Sequence, residues 1–420
     1  MRKRAASWVA AAALAAASIL PTVQVGLAQS SAEQSLDINT YLAEGKLAAG
    51  EAAFEQYLAA NPDDDRARYS LGMLQFFQAV EQLAQSWHRY GLDSEEGRVA
   101  GLPFLRLPTP PNRTPQPIGN KEFRAVFQAM NVQLAEAEAT LAQVDTAAVK
   151  VPVEFGEIRL DLNGDGVAGD GEEFWNIYTQ YNRRASTLTE DQKDFAIAFD
   201  GGDVHWLRGY CHLLMAMTDV LLAHDTEDLF ERTGQLFFPV VKTPHTYLLR
   251  RGGRDRFVNP VFADWIALLH LIRLDPIDPP RLQSALTHLE ATIAQSKLSW
   301  DRIEAETDND REWIPNPEQT SVVGVPVTPE MIEGWRSFLD ESEALLAGEK
   351  LVPHWRIQGR RGINLRRVFT EPTTFDVVLW AQGSAATPYL ETGELSAPET
   401  WGQLRTIFRG NFVGFAIWFN

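Results

Sequence analysis

Apolar positions in this chain recur mostly at helical spacing. From Asn39 to Tyr90 large side chains return every three or four residues (Tyr41, Leu42, Leu47, then Phe54, Tyr57 and Leu58), as an amphipathic helix pair requires. Asn61-Pro62 interrupts the pattern. Asp63, Asp64 and Asp65 then favour the positive N-terminal end of a following helix carrying Tyr69, Leu71, Leu74, Phe76, Phe77 and Val80. Six prolines between Leu102 and Pro117 exclude a helix and predict an extended connector, with Phe104, Leu105 and Leu107 packing it down. Another amphipathic helix follows through Phe123, Val126, Phe127, Met130, Leu134 and Leu141. Phe155, Ile158 and Leu160, with Glu157 and Arg159 between them, predict a strand. Residues 203–224 are apolar around most of a helix's circumference, which marks a central helix. A second buried helix is expected around Phe262–Ile272, and strands at Thr374–Gln382 and Phe412–Phe419. The fold class is therefore mainly α: a helical N-terminal hairpin, then a larger helical body with a few strands.

Tyr41, Phe54 and Pro62, followed by Leu71-Gly72 and Ala84, fall at the spacing of two successive units of about 34 residues. On these positions the segment resembles a tetratricopeptide repeat. His88, Tyr90 and Gly91 replace the aromatic and small residues that usually close the second unit. Such units bury their faces against neighbours, so an ordinary helical hairpin packed on the rest of the chain accounts for the same pattern. The resemblance implies a role in binding a protein or peptide. The expected organisation is a TPR-like segment over 29–100, a proline-rich connector over 101–120 and a main domain over 121–420.

The chain has 420 residues, 45% hydrophobic and 22% charged, enough apolar content to bury a substantial core. Lys plus Arg number 38 against 56 Asp plus Glu, a formal charge of −18, which argues against nucleic acid as a partner. Cys211 is the one cysteine, so neither an intrachain disulfide nor a thiolate-rich metal site can form. Arg2, Lys3 and Arg4 precede an apolar run from Ala5 to Leu20, and Gly26-Leu27-Ala28 offers small residues for a peptidase. This is the plan of a secretory signal peptide over 1–28, cleaved after Ala28. The run is shorter than the ~20 residues of a membrane span, and no transmembrane segment is expected after its removal. A periplasmic or secreted location follows.

The sharpest pattern is the twelve-residue stretch Asp161–Glu172, with Asp161, Asn163, Asp165, Gly166, Val167 and Glu172 at the defining positions of a calcium loop. It resembles the loop of the EF-hand family. Calcium takes six to eight oxygens, and the resemblance assigns side-chain oxygens to Asp161, Asn163 and Asp165, a backbone carbonyl to Val167 and a bidentate carboxylate to Glu172. Asp170, or a water opposite Gly169, can complete the sphere. The surroundings depart from the family, with a predicted strand in place of the entering helix and no second loop to pair with. A lone strand–loop–helix site points to a structural calcium clip, not to a sensor.

His205, His212 and Asp219 lie seven residues apart on the central helix, hence on one face. They offer an alternative class, a periplasmic hydrolase or metalloenzyme, joined by Asp264 or His270 from the second buried helix. The acidic run Asp301, Glu304, Glu306, Asp308, Asp310 and Glu312 offers a second cation site, but it lacks the glycine turn of a calcium loop and solvated surface is the preferred reading. The arginines at 250, 251, 254, 256, 360, 361, 366 and 367 offer a place for an anionic ligand, but pairing with that run is the preferred expectation. No nucleophile elbow, phosphate loop, dinucleotide fingerprint or zinc-protease motif is present. The leading expectation is an exported calcium-binding protein with a structural or protein-binding role.

Export is directly testable. Mass spectrometry of protein recovered from the native host's envelope or medium is expected to find chains beginning at Gln29, and an intact N-terminus on most molecules would refute the signal reading.

Overall fold

A computed structural model describes residues 36–95, 103–147, 149–174, 196–249, 260–322, 326–408, 412 and 416. The expected signal segment 1–28 lies outside them. In chain order come α1 (Ile38–Ala43), α2 (Leu47–Ala60), α3 (Asp65–Tyr90), α4 (Asn120–Leu141), β1 (Lys150–Val153), β2 (Ile197–Asp200), α5 (Gly201–Leu222), α6 (Glu227–Thr233), α7 (Pro260–Leu271) and β3 (Arg273–Leu274). There follow α8 (Pro279–Ala305), α9 (Pro329–Ala347), β4 (Lys350–Leu351), β5 (Arg361–Ile363), α10 (Leu365–Thr370), β6 (Phe375–Asp376), α11 (Val377–Gln382), β7 (Leu390–Thr392), β8 (Glu394–Leu395) and α12 (Pro398–Ile407). The protein is mainly α, and its strands form two-stranded pieces only among the described residues.

Local chemistry sets the helix ends. Asp64 accepts the Ala67 N–H at 3.0 Å to start α3, and Gly91 stops it in the left-handed region at φ 70°. Asp200 caps α5 by accepting the Gly202 N–H at 2.8 Å. Thr328 caps α9, with Pro329 in its first turn and Gly348 past its end. The expected break at Asn61-Pro62 separates α2 from α3, which runs unbroken for 26 residues.

Helices α2, α3, α4, α5, α8 and α9 pack in an antiparallel succession. Glu51 of α2 accepts from Gln75 and Gln78 of α3. Trp87 near the end of α3 meets Phe123 and Phe127 near the start of α4. Arg208 of α5 bonds Glu138 of α4, while Arg124 of α4 reaches the Leu222 carbonyl at the far end of α5. Ser299 of α8 donates to the Gly202 carbonyl, and Trp335 of α9 donates to Ser296. Gly72 allows α3 and α4 to touch, since a Cβ there would lie 2.6 Å from the Leu141 side chain. One apolar core runs from Ile38 to Phe408 and takes in Phe104, Leu105 and Ile118 of the proline-rich stretch, so the connector is packed down as its apolar residues predicted.

Several expectations need correction. Residues 155–157 form a 3-10 turn, and the strand predicted there is reduced to a bridge between Arg159 and Glu173. The strand expected at 374–382 is mostly helix α11, because Asp376 caps it by accepting the Leu379 N–H at 2.9 Å. Of the C-terminal strand, only Phe412 and Ala416 are described, and both have helical backbone. The helix at 262–272 exists as α7, but it is not buried: Phe262 is 65% exposed. A helix that is mostly hydrophobic does not say which of its sides has a neighbour.

Trp87 tests the core. It is fully buried, meets three phenylalanines and donates to the Phe104 carbonyl at 3.0 Å. Trp87→Ala is expected to cost about 3–5 kcal/mol, read by denaturant unfolding, because the cavity opens where three segments meet.

Candidate functional site

The Asp161–Glu172 loop is closed at its neck by a short ladder. The Leu160 N–H donates to the Glu172 carbonyl at 3.2 Å, and the Phe174 N–H to the Ile158 carbonyl at 2.8 Å. Within it, the Asp161 carboxylate accepts the N–H groups of Gly164 (2.7 Å), Asp165 (3.2 Å) and Gly166 (2.9 Å). Gly164 and Gly166 take φ of 75° and 88°, which favours glycine at both turns. Asn163 accepts from the Asp165 N–H, and Asp165 from the Val167 N–H. Glu172 folds back so that Oε1 accepts from Leu162 (2.9 Å) and Asn163 (3.2 Å) and Oε2 from Gly169 (2.9 Å).

Asp161 and Glu172 are buried at the loop's centre, whereas Val167 is exposed at its tip. Asp170 is also exposed and pairs with Arg159 at 3.0 Å. Helix α3 holds the loop from below: Gln85 donates to the Asp161 carbonyl at 2.8 Å, and Glu81 accepts the Asp161 N–H at 2.8 Å. Burial pushes the Glu81 carboxyl up to about 7, with Asp161 and Glu172 adding repulsion. The proline-rich stretch passes on the other side, leaving a cavity of about 360 Å³ between Pro108–Pro111 and Leu162, Asn163, Gly171 and Glu172. The exit helix expected after Glu172 lies, beyond Phe174, outside the described residues.

A second acidic group draws two members, Glu306 and Glu312, from the acidic run in the sequence, but its third, Asp200, was not legible there. Asp200, Glu306 and Glu312 bring one carboxylate oxygen each within 4.8 Å of one another, the one such three-residue convergence among the described residues. The β1–β2 ribbon delivers Asp200 to the start of α5, and α8 ends at Glu306. Asp203, buried one helical turn beyond Asp200, accepts the Asp200 N–H at 3.1 Å. Burial raises all four carboxyls: Glu306 to about 8, Glu312 to about 7, Asp200 above its ordinary value and Asp203 well above it. Glu306 also lines a polar cleft of about 980 Å³ between α8 and α9, with Asn316, Glu318, Arg336 and Glu341. The acidic run is thus split. Asp308 and Asp310 face Lys150 at 2.6 and 3.0 Å, while Glu306 and Glu312 turn inward, contrary to the solvated reading.

On the helix face of His205, His212 and Asp219, His205 has its own partner, whereas His288 lies between His212 and Asp219, 3.9 Å from the latter. His205 bonds Gln295 at 2.8 Å. His212 meets His288 at 3.0 Å between Nδ1 atoms and lies 3.4 Å from Glu138. Asp219 receives Arg281 at 2.7 Å and Asn131 at 3.2 Å. One imidazole in the His212–His288 contact must donate and the other accept. His212 and Arg208 hold the Glu138 carboxyl down at about 2. Asp264 and His270 sit on α7, away from this joint, and His270 is exposed. Sequence reasoning missed His288 and Glu138, which approach only once α4 and α8 flank α5.

The chain matches no family model, no curated protein and no solved structure.

The raised carboxyls make stability depend on pH. A folded-state value above the unfolded one stabilises at low pH, and that contribution is lost as pH rises through about 7 to 8 for Glu312 and Glu306. In chelator, the melting temperature is expected to fall between pH 5 and pH 9, and Glu306→Gln is expected to flatten that fall. An unchanged slope in the variant would show that the group is solvated.

Proposed function

We propose that this chain is an exported calcium-binding protein in which Asp161–Glu172 holds one calcium ion as a structural clip. The carrying observation is the loop's backbone: three N–H groups gather on Asp161, two left-handed glycines turn the chain, and Glu172 folds back across it. Asp161, Asn163, Asp165 and Glu172 would supply side-chain oxygens and Val167 its carbonyl, the hard-oxygen set calcium prefers. Each carboxylate keeps acceptor capacity beyond its N–H bonds.

Bound calcium supplies charge that offsets the crowding of Asp161, Glu172 and Glu81. Glu81 and Gln85 then tie the loop to α3, so the ion's effect reaches the N-terminal helices. Those helices are the part we assign to a protein or peptide partner. The site suits a weak extracellular calcium requirement better than signalling, because no second loop couples to it among the described residues. The alternative, a hydrolase or metalloenzyme on the His205/His212/Asp219 face, has less behind it: His205 bonds Gln295 apart from the others, and His212 and Asp219, which share His288, are otherwise taken up by Glu138 and Arg281.

Calorimetry with calcium is expected to give one-to-one binding. A ligand that binds only the folded chain stabilises it by about 2.7 kcal/mol at a hundredfold excess over Kd, so melting should rise with calcium and fall with chelator. Glu172→Gln is expected to lose most of that shift while Glu306→Gln keeps it. The opposite pattern would move the ion to the Asp200 group, and no calcium effect on either would leave the loop a plain turn.

A further inference from the structure

Helix α7 is apolar on two sides. Trp265 and Leu268 face the core, with Trp265 edge-on to Phe237 at 5.9 Å. Phe262, Ile266 and Leu269 recur at i, i+4 and i+7, share the other side, and are 65%, 55% and 54% exposed. The exposed apolar surface continues through neighbouring elements. β3 pairs with β6, the Val377 N–H donates to the Ile272 carbonyl at 3.0 Å, and α11 then exposes Val378 and Leu379. Trp355 extends it, donating from its indole to the Ala381 carbonyl at 3.2 Å while remaining 74% exposed. Exposed apolar side chains on three elements that are hydrogen-bonded to one another mark an interaction surface more than scattered single residues would.

Charge says what covers it. Arg356 lies over the Trp355 ring at 4.3 Å, and Arg360 and Arg361 follow on the same exposed segment. Among the described residues no carboxylate forms an ion pair with these three, whereas Arg366 pairs with Glu290 and Arg367 with Glu371 and Glu391. The chain as a whole carries −18 and Asp264, Asp275 and Asp376 lie on or beside the elements of this face, so the three arginines, which have no ion-pair partner among the described residues, are its local source of uncompensated positive charge.

We infer that the α7–α11–Trp355 face docks on the surface of an anionic phospholipid bilayer. Phe262, Ile266 and Leu269 would enter the boundary between headgroups and acyl chains, as an interfacial amphipathic helix does. Trp355 suits the headgroup level, where an amphipathic ring keeps one edge wet. Arg356, Arg360 and Arg361 would meet lipid phosphates, an attraction that salt screens. No described helix is long and apolar enough to cross a membrane, so the contact is peripheral. The inference is independent of the calcium reading.

The test is flotation of the full chain with phosphatidylcholine vesicles, with and without phosphatidylglycerol, in chelator so that calcium cannot bridge protein to lipid. Binding is expected only with phosphatidylglycerol and is lost at high salt. Ile266→Asp with Leu269→Asp, and separately Arg356→Glu with Arg360→Glu, are each expected to weaken partitioning at least about tenfold. Circular dichroism melts check folding; the arginine pair lies on an exposed segment and keeps the test valid if the helix variant unfolds. No flotation with phosphatidylglycerol, or flotation undiminished in the arginine variant, overturns the inference. So does a dimer that Ile266→Asp with Leu269→Asp dissolves without any vesicle binding, which would assign the face to a second copy.

Discussion

Burial of α5 between α4 and α8 is the constraint on which the rest of this structure depends. That helix is apolar on most of its circumference and can be stable only with neighbours on more than one side. Once α4 and α8 enclose it, its polar residues must find partners on those helices or stay unsatisfied. Arg208 meets Glu138, His212 meets His288, Asp219 meets Arg281 and His205 meets Gln295. The line of polar contacts along the joint sets the register of three helices. It satisfies buried polar groups instead of presenting them to a ligand, and for that reason the histidine face reads as a seam.

The two acidic groups show opposite solutions to the same electrostatic problem. In the 161–172 loop, the carboxylates of Asp161 and Glu172 each accept several backbone N–H groups, which satisfies their oxygens within the loop itself. At Asp200, Glu306 and Glu312, burial dominates and pushes the carboxyls towards the protonated form. The first arrangement gathers carboxylate oxygens round a tight glycine turn. The second holds protons near neutral pH and ties the β2–α5 junction to the end of α8 and the loop after it. Both lie close to the short β1–β2 ribbon and its flanks, so the least helical part of the protein carries most of its acid chemistry.

Which parts were legible in the sequence follows from how local each signal is. The α2–α3 break at Asn61-Pro62, the central α5 and the loop at Asp161–Glu172 were readable because capping, glycine turns and helical periodicity act within a dozen residues. Thr374–Gln382 misled because a short apolar run fits strand and helix alike, and the Asp376 cap decided it. Residues around Phe262–Ile272 misled because periodicity reports that a face is apolar, not whether anything covers it.

The sequence by itself determined the mainly α class, the helix ends and the order of side chains round the 161–172 loop, since each depends on neighbours along the chain. Only the tertiary structure decided that Glu306 and Glu312 turn inward to Asp200, that His212 finds His288, and that α7 shows its second apolar face to solvent. Those outcomes rest on residues about 70 to 110 positions apart. Their energies come from desolvation and packing, which exist only when the helices have met.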